Sequence, residues 1–301
     1  MRLVTFIAPK SHRTQAGVLR DGVVIALDYP DVLELLRDPN GLGWALAEHE
    51  THNERGESYL LSEVRLKSPI PEPPTLRDFY AFEQHVRAAR FKRNAEMIPE
   101  WYQIPTFYFS NTSEIYGHDE AVPYPVGSNE LDIELEIACV IGREGKDIPV
   151  EEAAAYIAGY TIMNDWSARD FQRLDMKLNL GPGKGKDFAT SLGPWLVTPD
   201  ELEERKSGSG ASERYDMTML ARVDGQEISR GNFKDIYYSF PQMIAYASRN
   251  VRLRVGDVIG SGTVGTGCLL EIGTGVHPWF QRGEVIELEI DGIGVLRNTI
   301  V

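Results

Sequence analysis

The chain has 301 residues, 42% hydrophobic and 25% charged, a balance that suits a folded globular protein and excludes a disordered chain. Its net charge of -14 argues against nucleic acid and anionic membrane surfaces as partners. The opening MRLVTFIAPK is too short and mixed for a signal-peptide core, and no stretch is long enough to cross a bilayer, so a cytoplasmic protein is expected.

In chain order, MRLVTFIA and AGVLRDGVVIAL read as strands, with Asp21-Gly22 as a hairpin turn, and DVLELLRD reads as a helix. The Pro-rich SPIPEPPT, residues 68 to 75, suits neither pattern and marks a boundary between a small α+β domain, 1–68, and a larger one, 69–301. In the larger unit the pattern predicts a helix over Glu83 to Asn94 and strands over Thr106 to Ser110 and Ile133 to Ile141. A helix from Val150 to Ala158 follows, introduced by Pro149, and then a strand from Tyr160 to Asn164. Further strands are expected at Pro194 to Thr198, Met217 to Val223, Val258 to Ser261 and the closing pair EVIELEI and GVLRNTIV. Asp224-Gly225 and Asp291-Gly292 serve as turns, and a helix spans Ile236 to Ser248. SGSGAS at 207–212 reads as a flexible surface loop. Strands outnumber helices without βα alternation, so the expected class is α+β and β-rich, a mixed roll or barrel.

In LDIELEIACVIG, Leu131, Ile133, Leu135 and Ile137 alternate with Asp132, Glu134 and Glu136, as a strand with two unlike faces would. Glu134 and Glu136 then project side by side. One reading makes them the solvated face of an amphipathic strand. The other joins them to Asp78 and Asp165 as a hard-metal site, because clustered carboxylates repel unless a cation neutralises them, and oxygen donors favour Mg2+, Mn2+ or Ca2+ over zinc. His85 follows Asp78 by seven residues in LRDFYAFEQHVRAARFKRN. The two cysteines, Cys139 and Cys268, lie among apolar neighbours and are expected as buried free thiols. GPGKGK at 181–186 lacks the Ser or Thr that a phosphate loop needs after its lysine, and SGTVGTG at 261–267 is too loose for a dinucleotide fingerprint. His12, His49, His52, His118 and His277 show no ligand spacing and are expected to be surface or structural.

DFY(x4)H, ExE, NDxSxRDxQ, GKxF(x)T and LLE occur here in one order, and over about residues 70–301 this resembles the fumarylacetoacetate hydrolase family. The resemblance implies that Asp78, Glu134, Glu136 and Asp165 hold a Mg2+, Mn2+ or Ca2+ ion. It implies that His85 is the general base, that Glu271 orients it, and that Lys186 and Gln172 contact substrate oxygens near the metal. Thr190 matches a contact to the substrate carboxylate, and Tyr108 a substrate-side tyrosine. Arg90 and Arg93 lie near the family's substrate-binding arginine without aligning to it, and a second substrate tyrosine falls near Met176. The implied activity is hydrolysis of a carbon–carbon bond in a small anionic diketo acid, in the catabolism of aromatic compounds, by a homodimer. If that substrate is an anion, the field of an acidic protein must be reversed locally by metal, Lys and Arg. Decarboxylation, hydration or tautomerisation of a 2-oxo acid on the same metal is the alternative within the family. A catalytically silent metal-binding homologue is the alternative outside it.

Overall fold

The computed structural model describes residues 1–51, 57–92 and 95–301. His52 and Arg93 lie outside the described residues. The architecture is α+β and β-rich, built on a 12-stranded mixed sheet. Across it run Ser58–Leu60, Val23–Ala26, Thr14–Arg20, Arg2–Ile7, Thr190–Val197, Ile157–Asp165, Leu135–Ile141, Val258–Gly260, Leu76–Phe79 and Phe107–Ser110. Arg65–Leu66 and Ile115–Tyr116 attach to its middle. The sheet is open rather than a closed barrel: among the described residues its end strands Ser58–Leu60 and Phe107–Ser110 are not paired with each other.

A five-stranded sheet packs on one face, in the order Gln226–Asn232, Thr218–Val223, Val285–Ile290, Gly294–Ile300, Ala121–Val122. Ile137, Cys139 and Ile141 point into the core shared with Met219, Ala221, Ile286, Leu288 and Leu296. The alternate residues Ala138 and Val140 point the other way, to a second core with Leu33, Leu36, Leu192 and Leu196. All seven residues of Leu135–Ile141 are therefore buried, as expected of a central strand covered on both faces. Solvation of Glu134 and Glu136 is thereby ruled out, since they keep only 7% and 0% of their exposure.

Two of the predicted turns form two-residue hairpins in the left-handed region. Asp21 and Gly22 have φ of 49° and 77°, and Asp224 and Gly225 have φ of 48° and 78°, the conformation a type I′ turn requires. Asp31 caps the helix Val32–Arg37 by accepting from the Glu34 N–H at 2.8 Å. The helix expected over Val150–Ala158 is only a 3-10 turn at Ala153–Tyr156, because Ile157 and Ala158 open the nine-residue strand Ile157–Asp165. The helix expected from Ile236 begins at Phe240, where Ser239 accepts from the Gln242 N–H and Pro241 occupies the first turn. Residues 207–212 are tied down: Lys206–Ser207 pairs with Arg214–Tyr215, and Ser239 Oγ donates to the Gly210 carbonyl at 2.9 Å. A helix at Gly41–Thr51 lies in a stretch for which no element was read from the sequence.

Candidate active site

The sheet register gathers the acidic residues. Asp78 on Leu76–Phe79 lies opposite Gly260 on one side and Tyr108 on the other. Glu136 is opposite Met163, and Asp165, at the end of Ile157–Asp165, is opposite Thr190. Glu134 stands where the strand containing it is interrupted, its N–H donating to Asn164 Oδ1 at 3.1 Å. One carboxylate oxygen each from Asp78, Glu134, Glu136 and Asp165 lies within 4.8 Å of all the others, and all four residues are buried.

The backbone comes unusually close to this cluster. The Gly262 N–H donates to both Asp78 Oδ1 and Glu136 Oε2, each at 3.1 Å. Its φ is +77°, and a Cβ there would stand 2.5 Å from the Phe79 carbonyl oxygen. A Cβ on Gly260 would stand 2.6 Å from Asp78 Oδ1. Glycine is required at both places, for conformation and close approach at the first and for space at the second.

Two cations face the carboxylates. Lys186 Nζ lies 2.5 Å from Asp165 Oδ2 and 2.7 Å from Glu134 Oε2. Arg169 bridges Asp132 Oδ2 at 2.7 Å and Glu134 Oε1 at 2.8 Å. Five buried carboxylates, counting Asp132, thus meet two cations, and full ionisation would leave an excess of three negative charges. The protonation preferences follow from this imbalance. Burial first, and Asp165 second, push Asp78 up to about 8. Burial and the neighbouring Asp78 raise Glu136 well above the carboxylate range. Burial acts the same way on Glu134, but Lys186 and Arg169 outweigh it and hold Glu134 below the ordinary range. Burial disfavours the Lys186 ammonium, yet Asp165 and Glu134 more than offset it, so Lys186 stays charged.

A divalent cation fits this donor set. Among the described residues no donor reaches Glu136 Oε1 or Asp165 Oδ1, both buried, and such orphaned oxygens are costly unless something else satisfies them. Opposite ligands of Mg2+ stand about 4.2 Å apart and those of Ca2+ about 5 Å, so oxygens within 4.8 Å can converge on one hard ion.

Beside the cluster a cavity of about 230 Å3 is lined by Asp78, Glu134, Lys186, His85, Tyr108, Gln172 and Arg169, with apolar walls from Phe79, Phe107, Met176 and Leu270. His85, on the helix Glu83–Phe91, brings Nδ1 to 3.0 Å from Glu271 Oε2, and Tyr80 meets its ring edge-on at 5.5 Å. Tyr108 also lines the cavity, but its hydroxyl donates to Asp165 Oδ2 at 2.5 Å. Gln172 Oε1 accepts from Arg169 Nη1 at 3.0 Å, which leaves its amide N–H groups as the remaining donors. Thr190 is not brought to the cavity wall: it is buried beside Asp165 in the sheet, its N–H donating to the Glu114 carbonyl. Arg90 is also away from that wall, its guanidinium bonded to the Glu96 carbonyl.

Sequence reasoning assigned no role to three contributors, although Asp132 and Arg169 stand in the motifs it read. Asp132 accepts from Arg169 and from the N–H groups of Leu269 and Leu270 at 2.8 and 2.9 Å, and so fixes the short helix Leu269–Ile272 that carries Glu271. The alternation in LDIELE signalled Asp132 but not this use. Arg169 Nη2 and Thr263 Oγ1 are buried with no partner among the described residues, and both residues line the cavity.

Residues 75–301 match the family model described as fumarylacetoacetate (FAA) hydrolase C-terminal, and the chain belongs to the fumarylacetoacetate hydrolase family. It is 34% identical over 242 residues to the fumarylacetoacetase of Arabidopsis thaliana, a match covering 65% of this chain and 57% of that protein. The chain therefore spans little more than half of that relative. It is 32% identical over 246 residues to the oxaloacetate tautomerase YisK of Bacillus subtilis, covering 80% of this chain and 75% of that protein. Its fold superposes on the fumarylacetoacetate hydrolase of Exiguobacterium antarcticum with a TM-score of 0.77 at 26% identity, covering 100% of this chain and 99% of the other.

Three outcomes follow from the cluster. Asp78 rises from 3.8 to about 8 on folding, so its contribution to stability is full below about pH 4 and is lost as pH climbs through 8. Without a cation, the melting temperature should fall across that window, and added Mg2+ or Mn2+ should restore more of it at pH 8 than at pH 5. Calorimetric titration with either metal at pH 7, in buffers of different ionisation enthalpy, should show net proton release; none released would contradict protonated carboxylates in the cluster. Gly262→Ala should cost about 1–3 kcal/mol in unfolding experiments, by forcing a side chain into the left-handed region against Phe79, and should weaken metal binding.

Proposed function

We propose that this chain is a divalent-cation-dependent hydrolase that cleaves a carbon–carbon bond in a small diketo acid of the acylpyruvate or fumarylacetoacetate type. One observation carries the reading: His85, paired with Glu271 at 3.0 Å, faces the same small cavity as Asp78 and Glu134 of the buried four-carboxylate cluster and a charged lysine. That combination supplies both halves of the chemistry, a group to activate water and a place for the negative charge that leaves. Asp78, Glu134, Glu136 and Asp165 would hold Mg2+, Mn2+ or Ca2+. When bound, the ion polarises the 2-oxo group and offsets the charge of the departing enolate.

The chain's own groups divide the remaining work. His85 Nδ1 donates to Glu271, which fixes the tautomer and leaves Nε2 to accept a proton from water as the water oxygen attacks the distal carbonyl carbon. Glu271 then stabilises the imidazolium that results. The carbon–carbon bond breaks with its electron pair going to the 2-oxo acid fragment, and His85 can return its proton there. Lys186, kept charged by Asp165 and Glu134, lies where it can donate to the substrate's oxygens, and Gln172 and Arg169 add N–H donors to that wall. An acidic protein thus offers an anion a local cluster of donors.

A second reading is favoured by the relative in B. subtilis, named as an oxaloacetate tautomerase and matched over 80% of this chain. In it the same cavity and His85 move a proton between carbon and oxygen of a 2-oxo acid with no water added. Incubating the Mg2+ or Mn2+ form with an acylpyruvate, fumarylpyruvate and oxaloacetate separates the two. A carboxylic acid plus a 2-oxo acid supports hydrolysis, an isomer or CO2 supports the other chemistry, and inertness across the panel points to a silent homologue.

The residue roles separate in two variants. Glu136→Ala should abolish metal affinity and turnover together. His85→Ala should keep the metal and lose hydrolysis by about 10²-fold or more. Full hydrolytic activity in His85→Ala would remove it from the role of base.

A further inference from the structure

Beside the hard carboxylate site lies a second group of donors of different character. Cys268 Sγ, His85 Nδ1 and a Glu271 carboxylate oxygen all lie within 4.8 Å of one another. Sγ is 3.9 Å from Nδ1, and Nδ1 is 3.0 Å from Glu271 Oε2. All three side chains are buried: Cys268 is 1% exposed, and the side chains of His85 and Glu271 6% each. We propose that Cys268, His85 and Glu271 form a second cation site, selective for borderline-soft ions such as Zn2+ or Co2+, and that filling it switches off the His85 base.

The geometry is near what zinc needs. With Zn–S of about 2.3 Å and Zn–N and Zn–O of about 2.0–2.2 Å, tetrahedral coordination sets S···N at about 3.6 Å and N···O at about 3.3 Å. The observed 3.9 and 3.0 Å lie within a few tenths of an ångström of those separations. The donors are also held in place. Cys268 is the extended N-cap of the short helix Leu269–Ile272 and Glu271 its third residue, so one short segment brings both donors to His85. Asp132 pins that turn through the Leu269 and Leu270 N–H groups. Three protein ligands leave the fourth position to water, the arrangement of an accessible rather than a closed zinc site.

The two sites sort cations by donor chemistry. Oxygen-only ligands suit Mg2+, Mn2+ and Ca2+, whereas a thiolate and an imidazole suit Zn2+ and Co2+ and offer little to Mg2+. Binding at the second site sends the thiol proton to solvent. The imidazole keeps one proton, which moves from Nδ1, now a ligand, to Nε2. His85 Nε2 then donates instead of accepting and takes no proton from water. This inhibitory consequence rests on His85 acting as the base, while the site itself does not.

Cobalt reports on the site without any assay of turnover. Protein kept in excess Mg2+ and titrated with Co2+ should develop a near-ultraviolet thiolate-to-cobalt charge-transfer band that saturates at one equivalent, and Zn2+ should bleach it. Cys268→Ala should lose the band, and Cys139→Ala, which alters the other cysteine in the chain, should keep it. Cys268→Ser, which retains a small polar residue at the helix cap, serves the same purpose if the alanine variant fails to fold. In turnover with Mg2+, Cys268→Ala should need at least about tenfold more Zn2+ for half-inhibition than the wild type. Absence of the band in wild-type protein, or its persistence in Cys268→Ala, would overturn the site. Equal zinc sensitivity of the two proteins would overturn the switch and place zinc on the carboxylates instead. If no 2-oxo acid is turned over, the hydrolase reading fails while the cobalt band still decides the site.

Discussion

Crowding one oxygen from each of four buried carboxylates within 4.8 Å of one another is the constraint to which the rest of the site responds. Left alone, such a cluster would protonate or open, because desolvation and mutual repulsion both disfavour the charged form. Lys186 and Arg169 relieve only part of the excess, and they do so unevenly. They hold Glu134 ionised while Asp78 and Glu136 remain pushed up. The unevenness is informative. A structural ion-pair network would balance its charges, whereas this one leaves two buried oxygens unbonded among the described residues and a net demand for positive charge.

The fold holds the cluster in place against its own repulsion. Its members come from three strands locked by register in the large sheet, and from the strand interruption at Glu134, pinned by Asn164. Covering that sheet on both faces keeps water away, which strengthens every electrostatic contact inside. Gly260 and Gly262 let backbone approach where a side chain would collide, and the Gly262 N–H bridges Asp78 and Glu136 in place of a third cation. Asp132 links this half to the other by tying Arg169 to the helix of Glu271.

The acidic cluster was legible in the sequence because the alternation in LDIELE and the order of the surrounding motifs both point to Glu134 and Glu136. The strand itself was only half legible. The pattern suggests one wet face, yet Ala138 and Val140 continue the acidic row into a second core, and a period-2 pattern cannot tell a solvated carboxylate from a buried, paired one. Hairpins at Asp21-Gly22 and Asp224-Gly225 were readable because their turn chemistry is local. Pairing of Arg2–Ile7 with Thr190–Val197, nearly two hundred residues away, was not, since nothing local specifies it. The same holds for the site: that Cys268 would lie against His85, or that Thr190 would be buried in the sheet, depends on how distant strands meet.

The proposed function requires the carboxylate cluster to take a cation that in turn presents a 2-oxo acid to the cavity. Its most direct test is the linkage between the two ligands, measured as the Mn2+ dissociation constant by electron paramagnetic resonance with and without oxalate, a non-reactive mimic of the 2-oxo acid. One Mn2+ per chain should bind at the cluster, oxalate should tighten it by about fivefold or more, and Mn2+ should tighten oxalate by the same factor. Failure of Mn2+ to bind, or binding indifferent to oxalate, would contradict the account.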